Sequence, residues 1–276
     1  MCLENLAVYP KINSSIKIFT QGGNLMIDMF SLEGKTAIVT GARTGIGQGI
    51  AQGLAEAGAD IIGAGHAPMP ETEAYVSSLG RKFRYYDIDL VKQDGIPALV
   101  DYAVSEFGKI DILVNNAGII RRQDVLDFTP ENWDDVISMN LKSLFFLSQA
   151  CARVMKSGGG GKIINIASML SFQGGIRVVS YTASKSGVAG ITKLMANELA
   201  KFNIQVNAIA PGYIATNNTE ALINDPKRSA EIVGRIPADR WGTPQDLKGA
   251  AVFLASGASD YVNGHILAVD GGWLAR

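Results

Sequence analysis

The sequence is poor in the residues that hold metals and disulfides. Its 276 residues include two cysteines, Cys2 and Cys151, and two histidines, His66 and His265. Two cysteines so far apart provide neither a disulfide framework nor a CxxC metal motif. Histidines this distant from each other are expected to be plain loop or surface residues, so we predict no metal site.

An excess of charge of one sign and a long apolar run are also lacking. Lys and Arg number 25 against 26 Asp and Glu, for a net charge of −1. Nucleic-acid binding would require a basic excess or stripe, so we predict no nucleic-acid partner. No apolar run reaches the roughly 18 residues that cross a bilayer, and residues 1–25 lack the apolar core of a signal peptide. We therefore predict no membrane partner and a cytoplasmic location.

The pattern of a folded domain begins only near Phe30, and the residues before it allow two interpretations. Met26 would be a natural start, and residues 21–24 can be encoded by a purine-rich string that resembles a bacterial ribosome-binding site. Residues 1–25 are then either a leader that is not natively translated or a poorly ordered tail. We expect one domain over residues 26–276.

Apolar runs of strand length alternate with stretches of helical periodicity along the rest of the chain. The predicted strands are residues 36–40, 60–64, 82–88, 110–115, 162–167, 204–209 and 265–269. The predicted helices are residues 47–57, 71–79, 95–107, 133–156, 181–202 and 247–254. Strands buried on both faces and joined by crossover helices are typical of α/β proteins. The sequence therefore predicts an α/β fold with a doubly wound parallel sheet and helices on both faces.

A glycine-rich string follows the first predicted strand and opens the first predicted helix. Residues 40–47 read Thr-Gly-Ala-Arg-Thr-Gly-Ile-Gly. Glycines let the backbone turn tightly beside a phosphate, and a helix N-terminus offers free N–H groups and partial positive charge. The position between strand and helix makes this string a strong indication of a dinucleotide site. The residues predicted to line it are Gly41, Arg43, Thr44, Gly45, Ile46 and Gly47.

Later strand ends add residues to the same predicted crevice. Asp89 follows the third strand and could bind the adenine amino group or stabilise a turn. After the fourth strand, small residues would let the backbone approach the cofactor, and asparagine amides could tie neighbouring strands. For Asn116, a structural role and a cofactor contact are equally supported. The predicted cofactor contacts here are Asp89, Leu90, Asn115, Ala117 and Gly118.

Tyr181 and Lys185 stand four residues apart, on one face of a predicted helix. A phenol beside a carbonyl oxygen can donate the proton for its reduction, and a nearby ammonium lowers the phenol pKa from about 10. Ser168 ends the preceding strand and could hold the substrate oxygen beside Tyr181. Asn140, in the long fourth helix, could hold a water for proton relay. Taken singly, each residue also has a purely structural interpretation.

Together these residues resemble a known enzyme family, the short-chain dehydrogenase/reductases. The matching features are Thr-Gly-x-x-x-Gly-x-Gly at 40–47, Asn-Asn-Ala-Gly at 115–118, Asn140, Ser168, Tyr181-x-x-x-Lys185 and Pro211-Gly212. The resemblance covers essentially residues 30–276. It implies a single-domain Rossmann fold, an NAD(P)-dependent oxidoreductase that acts on CH–OH groups, and a homotetramer.

The resemblance also implies roles for individual residues. Tyr181 would be the acid/base, and Lys185 would lower its pKa and hold the nicotinamide ribose. Ser168 would orient the substrate, and Asn140 would support a proton-relay water. The residues implied to contact the nicotinamide half of the cofactor are Tyr181, Lys185, Pro211, Gly212, Ile214 and Thr216.

Longer segments resemble a narrower group within the family. Residues 119–122, 166–177, 215–219 and 270–276 are similar to dehydrogenases of 3-deoxy sugar acids that serve uronate breakdown. The resemblance implies that a keto sugar acid is the substrate, reduced with NADH.

A sugar-acid substrate brings a carboxylate and hydroxyls that the protein must bind. A bidentate arginine suits a carboxylate, and we favour Arg177, which lies between Ser168 and Tyr181; a surface ion pair is the alternative role. Arg121 and Arg122 follow the fourth strand at the same crevice edge. The residues predicted to contact substrate are Ser168, Gln173, Arg177 and Asn217.

The choice between NAD and NADP is ambiguous in the sequence. NAD enzymes of this type carry an acid at the end of the second strand, where Gly65 and His66 stand here. NADP enzymes prefer a basic residue just before the second glycine, where Thr44 stands with Arg43 one residue earlier. The narrower resemblance favours NAD, and NADP is left open.

Other functions are compatible with parts of this pattern. Within the family, the alternatives are a polyol or other secondary-alcohol dehydrogenase and a 3-oxoacyl carrier-protein reductase. A non-catalytic cofactor-sensing protein is an alternative of another class. Such proteins typically lose the tyrosine or the lysine, and both Tyr181 and Lys185 are present.

Overall fold

The computed structural model describes residues 18–21 and 24–276 of the chain. The strands are β1 (Ile18–Gln21), β2 (Asn24–Ile27), β3 (Thr36–Thr40), β4 (Asp60–Gly65), β5 (Phe83–Asp87), β6 (Ile112–Asn115), β7 (Gly161–Ile166), β8 (Ile204–Pro211) and β9 (Ile266–Val269). Strands β3 to β9 form one parallel sheet in the order β5-β4-β3-β6-β7-β8-β9. The predicted fold class is confirmed.

Helices connect the strands of this sheet. They are α1 (Gly45–Glu56), α2 (Pro70–Ser78), α3 (Ile96–Phe107), α4 (Pro130–Ile137), α5 (Ser143–Ser157), α6 (Val179–Leu199), α7 (Glu220–Ile223), α8 (Pro226–Val233) and α9 (Lys248–Ala255). The long helix predicted over 133–156 is two helices separated by a π-helical turn at residues 138–142. Helices α7 and α8 were not predicted, because four and eight residues are too few to show a clear periodicity.

Apolar side chains cover both faces of the sheet, as parallel strands require. On β3, Ala37 and Val39 face the layer of α1, α2 and α9, while Ile38 faces the layer of α3, α5 and α6. All three side chains are fully buried. The core therefore lies in two layers, one on each side of the sheet.

The order of the strands reverses between β3 and β6. From β3 the chain runs outward through β4 to β5 and then returns to β6 on the other side of β3. At such a point the loops that follow the two central strands diverge and leave a crevice. The glycine-rich string after β3 and residues 115–118 at the end of β6 meet at this crevice.

Strands β1 and β2 form a separate antiparallel pair that precedes the sheet in the chain. This pair was not predicted, because the sequence pattern indicated regular structure only from about Phe30 onward. Residues 1–17 and 22–23, most of the predicted N-terminal extension, lie outside the described residues, and its boundary stays a prediction. In the part of the chain that the structure describes, no helix combines the length and the apolarity needed to cross a bilayer.

Candidate active site

The glycine-rich string forms a tight turn between β3 and α1. Gly41 and Gly45 have φ values of 66° and 59°, in the left-handed region that glycine adopts without strain. A Cβ atom at Gly47, on the first turn of α1, would overlap the Gly41 carbonyl oxygen and the side-chain amide of Asn116. A glycine at this position therefore allows the helix to begin close to the turn.

Thr40 and Asn116 hold the glycine turn against the end of β6. The Thr40 hydroxyl accepts hydrogen bonds from the backbone N–H groups of Asn116 at 2.9 Å and Ala117 at 3.0 Å. The side-chain amide of Asn116 donates to the carbonyls of Thr40 at 2.9 Å and Gly41 at 3.3 Å. The structural role considered for Asn116 is therefore present, and it fixes the two sides of the crevice relative to each other.

Asn115 ties β6 to its neighbours. Its side-chain amide donates to Asn165 on β7 at 2.9 Å and to the Ser148 hydroxyl on α5 at 2.8 Å. Asn165 donates in turn to Thr192 on α6 at 2.9 Å, and all four side chains are buried. Because its amide nitrogen is committed to this network, the predicted cofactor contact of Asn115 would have to come from another group of the residue.

The N-terminus of α1 is open toward the crevice. Its N-cap residue, Thr44, has an extended backbone, and the Thr44 side chain caps no N–H group. The first N–H groups and the positive end of the helix dipole therefore remain free for an anion. Across the crevice, Ala117 and Gly118 present little side-chain bulk. These residues fit the pyrophosphate of NAD(P).

The adenosine side of the crevice shows no carboxylate at the end of β4. The strand ends at Gly65, and the exposed His66 follows. Asp89 is exposed, and its Oδ1 accepts from the Val91 N–H at 3.1 Å, which is the turn role considered for it; its adenine contact stays a prediction. The Leu90 side chain is buried in the core, so only its backbone could meet a cofactor.

After β8 the chain crosses the front of the crevice. Pro211 ends β8, and the N–H of Gly212 is bonded to β9 at 2.9 Å. Ile214 is buried, and the Thr216 side chain comes within 3.3 Å of the place that a Cβ on Gly45 would occupy. The segment thus reaches the glycine turn from the opposite side, where contacts to a nicotinamide half are expected.

Tyr181 and Lys185 meet Ser168 beyond the end of β7. Lys185 is 4% exposed, and its Nζ donates to the Ile166 carbonyl at 2.6 Å. The same Nζ lies 5.6 Å from the centre of the Tyr181 ring. Ser168 comes two residues after the strand, and its hydroxyl accepts from the Leu170 N–H at 3.2 Å. Helix α6 therefore directs both predicted residues toward one strand end, as their spacing indicates.

Burial governs the ionisation of both residues. It raises the pKa of Tyr181 above its ordinary value, and hydrogen bonding to Ser168 and the positive charge of Arg122 oppose that rise. Burial lowers the pKa of Lys185 to about 8, because the charged ammonium loses its hydration. The expected lowering of the Tyr181 pKa by Lys185 stays a prediction, since the ammonium here is directed at the Ile166 carbonyl.

Asn140 lies on the π-helical turn and is 1% exposed. Its side chain accepts from the Ile119 N–H at 2.8 Å and donates to the Ile119 carbonyl at 2.9 Å. Its amide also reaches the Ser184 hydroxyl at 3.3 Å, which donates to the Tyr181 carbonyl at 2.8 Å. Sequence reasoning missed Ser184, although its place directly before Lys185 was an available signal. It joins Asn140 to the helix that carries Tyr181.

Three arginines lie on the predicted substrate side, and two of them are paired with carboxylates. Arg177, the predicted carboxylate partner, has a φ of 63° and its Nε lies 3.2 Å from Asp124. Arg121 pairs with a carboxylate of α4 at 2.9 Å. Arg122 has no carboxylate partner within residues 18–21 and 24–276, and it donates to the Asn218 carbonyl at 3.4 Å. Arg122 is therefore the uncommitted positive charge among the three, and it lies close enough to the acid/base candidate to lower its pKa.

The two side chains predicted to bind substrate hydroxyls lie on different segments. Gln173 is half-buried, and its Oε1 accepts from the Trp273 indole N–H at 3.3 Å. Asn217 is exposed and begins a short 3₁₀ turn after β8. The contact with Trp273 was not predicted, because it joins residues 100 positions apart in the chain.

The two histidines and the described cysteine take no part in the catalytic group formed by Tyr181, Lys185 and Ser168. His66 follows β4, and His265 precedes β9; both are exposed. Cys151 is buried in the core, where burial raises the pKa of its thiol to about 12. Among the described residues, no cluster of three His, Cys, Asp or Glu side chains could hold a metal ion.

Known proteins of similar sequence identify the family. A family profile described as enoyl-(acyl carrier protein) reductase matches residues 41–274. A relative from Escherichia coli strain K12, named 2-dehydro-3-deoxy-D-gluconate 5-dehydrogenase, is 66% identical over 253 residues, which cover 91% of this chain and 100% of the relative. The chain belongs to the short-chain dehydrogenase/reductase family. This confirms the resemblance inferred from the motifs.

Two further proteins place this short-chain dehydrogenase/reductase more closely. A Dickeya dadantii relative of the same name is 63% identical, over 91% of this chain and all of its own. A crystal structure from Agrobacterium tumefaciens, provisionally described as a 2-deoxy-D-gluconate 3-dehydrogenase with bound NADP, aligns with a TM-score of 0.85 at 55% identity, over 90% of this chain and 100% of that one. The protein is an NAD(P)-dependent oxidoreductase that acts on alcohol and keto groups.

Proposed function

We propose that this enzyme interconverts a keto group and a secondary alcohol on a 3-deoxy sugar acid, as a 2-dehydro-3-deoxy-D-gluconate 5-dehydrogenase. It would reduce 2,5-diketo-3-deoxygluconate to 2-keto-3-deoxygluconate in the catabolism of uronates from pectin or glycosaminoglycans. One feature of the site carries the proposal: the guanidinium of Arg122, which has no carboxylate partner among the described residues, stands beside the acid/base candidate Tyr181. The names of the Escherichia coli and Dickeya relatives support the substrate.

The four catalytic candidates divide the work of reduction. When bound, a reduced nicotinamide would supply the hydride for the keto carbon. Tyr181 donates a proton to the oxygen of that carbonyl, and its raised pKa keeps the phenol protonated near neutral pH, as a proton donor requires. Ser168 donates a hydrogen bond to the same oxygen and orients it. Lys185 would hold the nicotinamide ribose, and Asn140 would support a water that restores the proton.

The residues around the glycine turn hold the cofactor. The pyrophosphate would lie at the open N-terminus of α1, and the segment after β8 would cover the nicotinamide half. The resemblance favours NAD as the cofactor. No carboxylate stands at Gly65 to reject a 2′-phosphate, and the exposed Arg43 could pair with one. We therefore expect turnover with NAD and measurable turnover with NADP.

Arg122 is the proposed partner of the substrate carboxylate. A guanidinium binds a carboxylate through two parallel hydrogen bonds, and no carboxylate of the described residues pairs with Arg122. Arg177 is the second candidate. In its ion pair with Asp124, the Arg177 side chain is 57% exposed and the Asp124 side chain is 67% exposed. An ion pair so exposed is weak enough to open for a substrate.

We also propose that the enzyme is a cytoplasmic homotetramer. Phe146 on α5 and Leu194 on α6 expose 40% and 51% of large apolar side chains, as helices that pack against a second copy do. Analytical ultracentrifugation should give four times the chain mass. A monomer at micromolar concentration would contradict the proposal.

The experiment that tests the function follows NADH and NADPH absorbance during oxidation of 2-keto-3-deoxygluconate by the purified enzyme. We expect turnover with NAD, and a fall in kcat of about 10²–10⁴-fold in Tyr181→Phe, the range typical of general acid–base groups. Tyr102→Phe is the matched control, because Tyr102 lies on α3 and packs against Tyr86 of β5, away from the catalytic tyrosine. If the enzyme oxidises polyols but not the sugar acid, the proposed substrate is wrong, while the role of Tyr181 as the acid/base still stands.

A further inference from the structure

The last residues of the chain form a turn that packs on the substrate side of the site. The Asp270 carboxylate accepts from the backbone N–H groups of Gly272 at 2.8 Å and Leu274 at 2.9 Å. Gly271 and Gly272 have φ values of 65° and 92°, where a side chain would be strained. These features hold the Trp273 side chain in a defined place.

Trp273 is anchored in an aromatic cluster. It is 5% exposed, its ring lies 4.8 Å from that of Tyr213, and the Arg235 guanidinium stacks 4.0 Å from its centre. The same cluster includes Met169, which directly follows Ser168. Because the ring is packed on several sides, the direction of its indole N–H is fixed.

The indole N–H determines how the Gln173 amide is turned. It donates to the Gln173 Oε1 at 3.3 Å. An indole N–H can only donate, so the amide atom that faces it must be the accepting oxygen. The Gln173 Nε2 then points the other way, and within the described ranges 18–21 and 24–276 it has no hydrogen-bond partner.

We infer that Trp273 is a positioning residue that turns the Gln173 amide nitrogen toward the substrate, where it donates to a hydroxyl or keto oxygen of the sugar acid. Gln173 lies between Ser168 and Tyr181, on the segment that borders the reacting carbonyl. The carboxyl-terminal turn, residues 270–276, thereby becomes part of substrate recognition. The inference rests on the proposed function, because it concerns the same site and the same substrate.

Trp273→Phe tests this with little change in packing. Phenylalanine keeps an aromatic ring against Tyr213 and removes the N–H, so the Gln173 amide is free to rotate. KM for 2-keto-3-deoxygluconate should rise about three- to tenfold, the effect of one hydrogen bond, while kcat changes less than about twofold. In a Gln173→Ala background the same substitution should have no further effect on KM.

Trp241→Phe is the matched control. Trp241 packs edge-on against the same Tyr213 ring, with 5.5 Å between ring centres, but its N–H donates to the Ser229 hydroxyl at 3.0 Å. This variant loses an indole N–H from the same cluster without touching Gln173. Its KM should equal that of the wild type.

Gln173→Glu is an independent test that does not alter the cluster. Glutamate keeps an oxygen for the Trp273 N–H and loses the donor, so KM should rise with the melting temperature unchanged. An unchanged KM in Gln173→Glu, or equal KM in Trp273→Phe, Trp241→Phe and wild type, would overturn the inference. If the wild type does not oxidise 2-keto-3-deoxygluconate, KM is compared among the variants with another hydroxy acid that the wild type does oxidise, such as gluconate. Wild-type turnover of 2-keto-3-deoxygluconate separately decides the proposed function.

Discussion

The two halves of the crevice are built in different ways. On the cofactor half, the glycine turn and residues 115–118 are joined by backbone groups and short side chains. The Thr40 hydroxyl and the Asn116 amide alone make five hydrogen bonds there, and Thr40 is 2% exposed. This half is held in shape by the protein itself.

On the substrate half, longer and more exposed side chains join the loop after β6 to the segment before α6. The Gln123 N–H donates to the Arg177 carbonyl at 3.0 Å, and the Arg177 side chain pairs with Asp124 in the open. Ile176 and Leu126, on the same two segments, expose 85% and 94% of their side chains. Connections of this kind rearrange at low cost.

The difference between the halves matches the difference between the molecules they bind, the cofactor and the substrate. A rigid half made of backbone suits a cofactor whose phosphates are the same in every reaction. A half made of exposed long side chains can change with the substrate, and function concentrates in such loops. Substitutions on the two sides should therefore differ in kind, with cofactor affinity altered on one side and substrate affinity on the other.

The largest effect is expected on the rigid half, from Gly47→Ala. The new methyl group would overlap the Gly41 carbonyl and the Asn116 amide, and overpacking of this kind costs about 1–3 kcal/mol. NADH affinity, measured by fluorescence titration, should fall up to about a hundredfold. Gly249→Ala on α9 is the control, since no atom of the described residues lies within 4 Å of its Cβ position. Unchanged affinity in a folded Gly47→Ala would show that this half adapts as well.

On the substrate half, Arg122→Ala should raise KM for the sugar acid about tenfold, near the roughly 1.5 kcal/mol of a weak hydrogen bond to a charged group. NADH affinity should not change. The variant should also raise the pKa of Tyr181, because Arg122 lowers it. The pH at which the reductase rate falls on the alkaline side should therefore move upward.

Arg121 and Arg177 provide the comparison for Arg122. Arg121→Ala is the matched control, since Arg121 is paired with α4. A rise in KM in Arg177→Ala with none in Arg122→Ala would exchange the roles proposed for the two residues.

A modest change, in stability and not in affinity, is expected between the halves, at Lys185. Its pKa of about 8 lies below the ordinary lysine value of 10.5, so the folded state loses the proton more readily than the unfolded state. Keeping the buried ammonium charged therefore costs stability below pH 8, and this cost disappears as the pH rises from 8 to 10.5. In the protein without cofactor, Lys185→Met should add about 1–2 kcal/mol at pH 7, after the lost bond to Ile166 is subtracted.

Urea unfolding at pH 7 and pH 9.5 would measure this effect. The gain from Lys185→Met should shrink at the higher pH. A gain that is equal at both values would mean that burial of the charge is not its cause.

Local patterns determined much of this protein. Apolar runs and helical periodicity located the strands of the parallel sheet, because one strand or helix turn needs only its own residues to define it. The glycine string and the spacing of Tyr181 and Lys185 are local in the same sense, so the cofactor turn and the catalytic helix face were predictable. The helices α7 and α8 and the π-helical turn at Asn140 were not, because they are short departures from a regular period.

Only the tertiary structure decided which groups are free. The sequence favoured Arg177 among three arginines, and the fold gave Arg177 and Arg121 carboxylate partners but placed none of the described carboxylates against Arg122. Likewise, Trp273 and Gln173 meet only because the chain brings the carboxyl-terminal turn back to the segment after β7. A sequence pattern shows what a residue can do. The partner that the residue finds depends on the distances between remote segments, and the packing of the chain sets those distances.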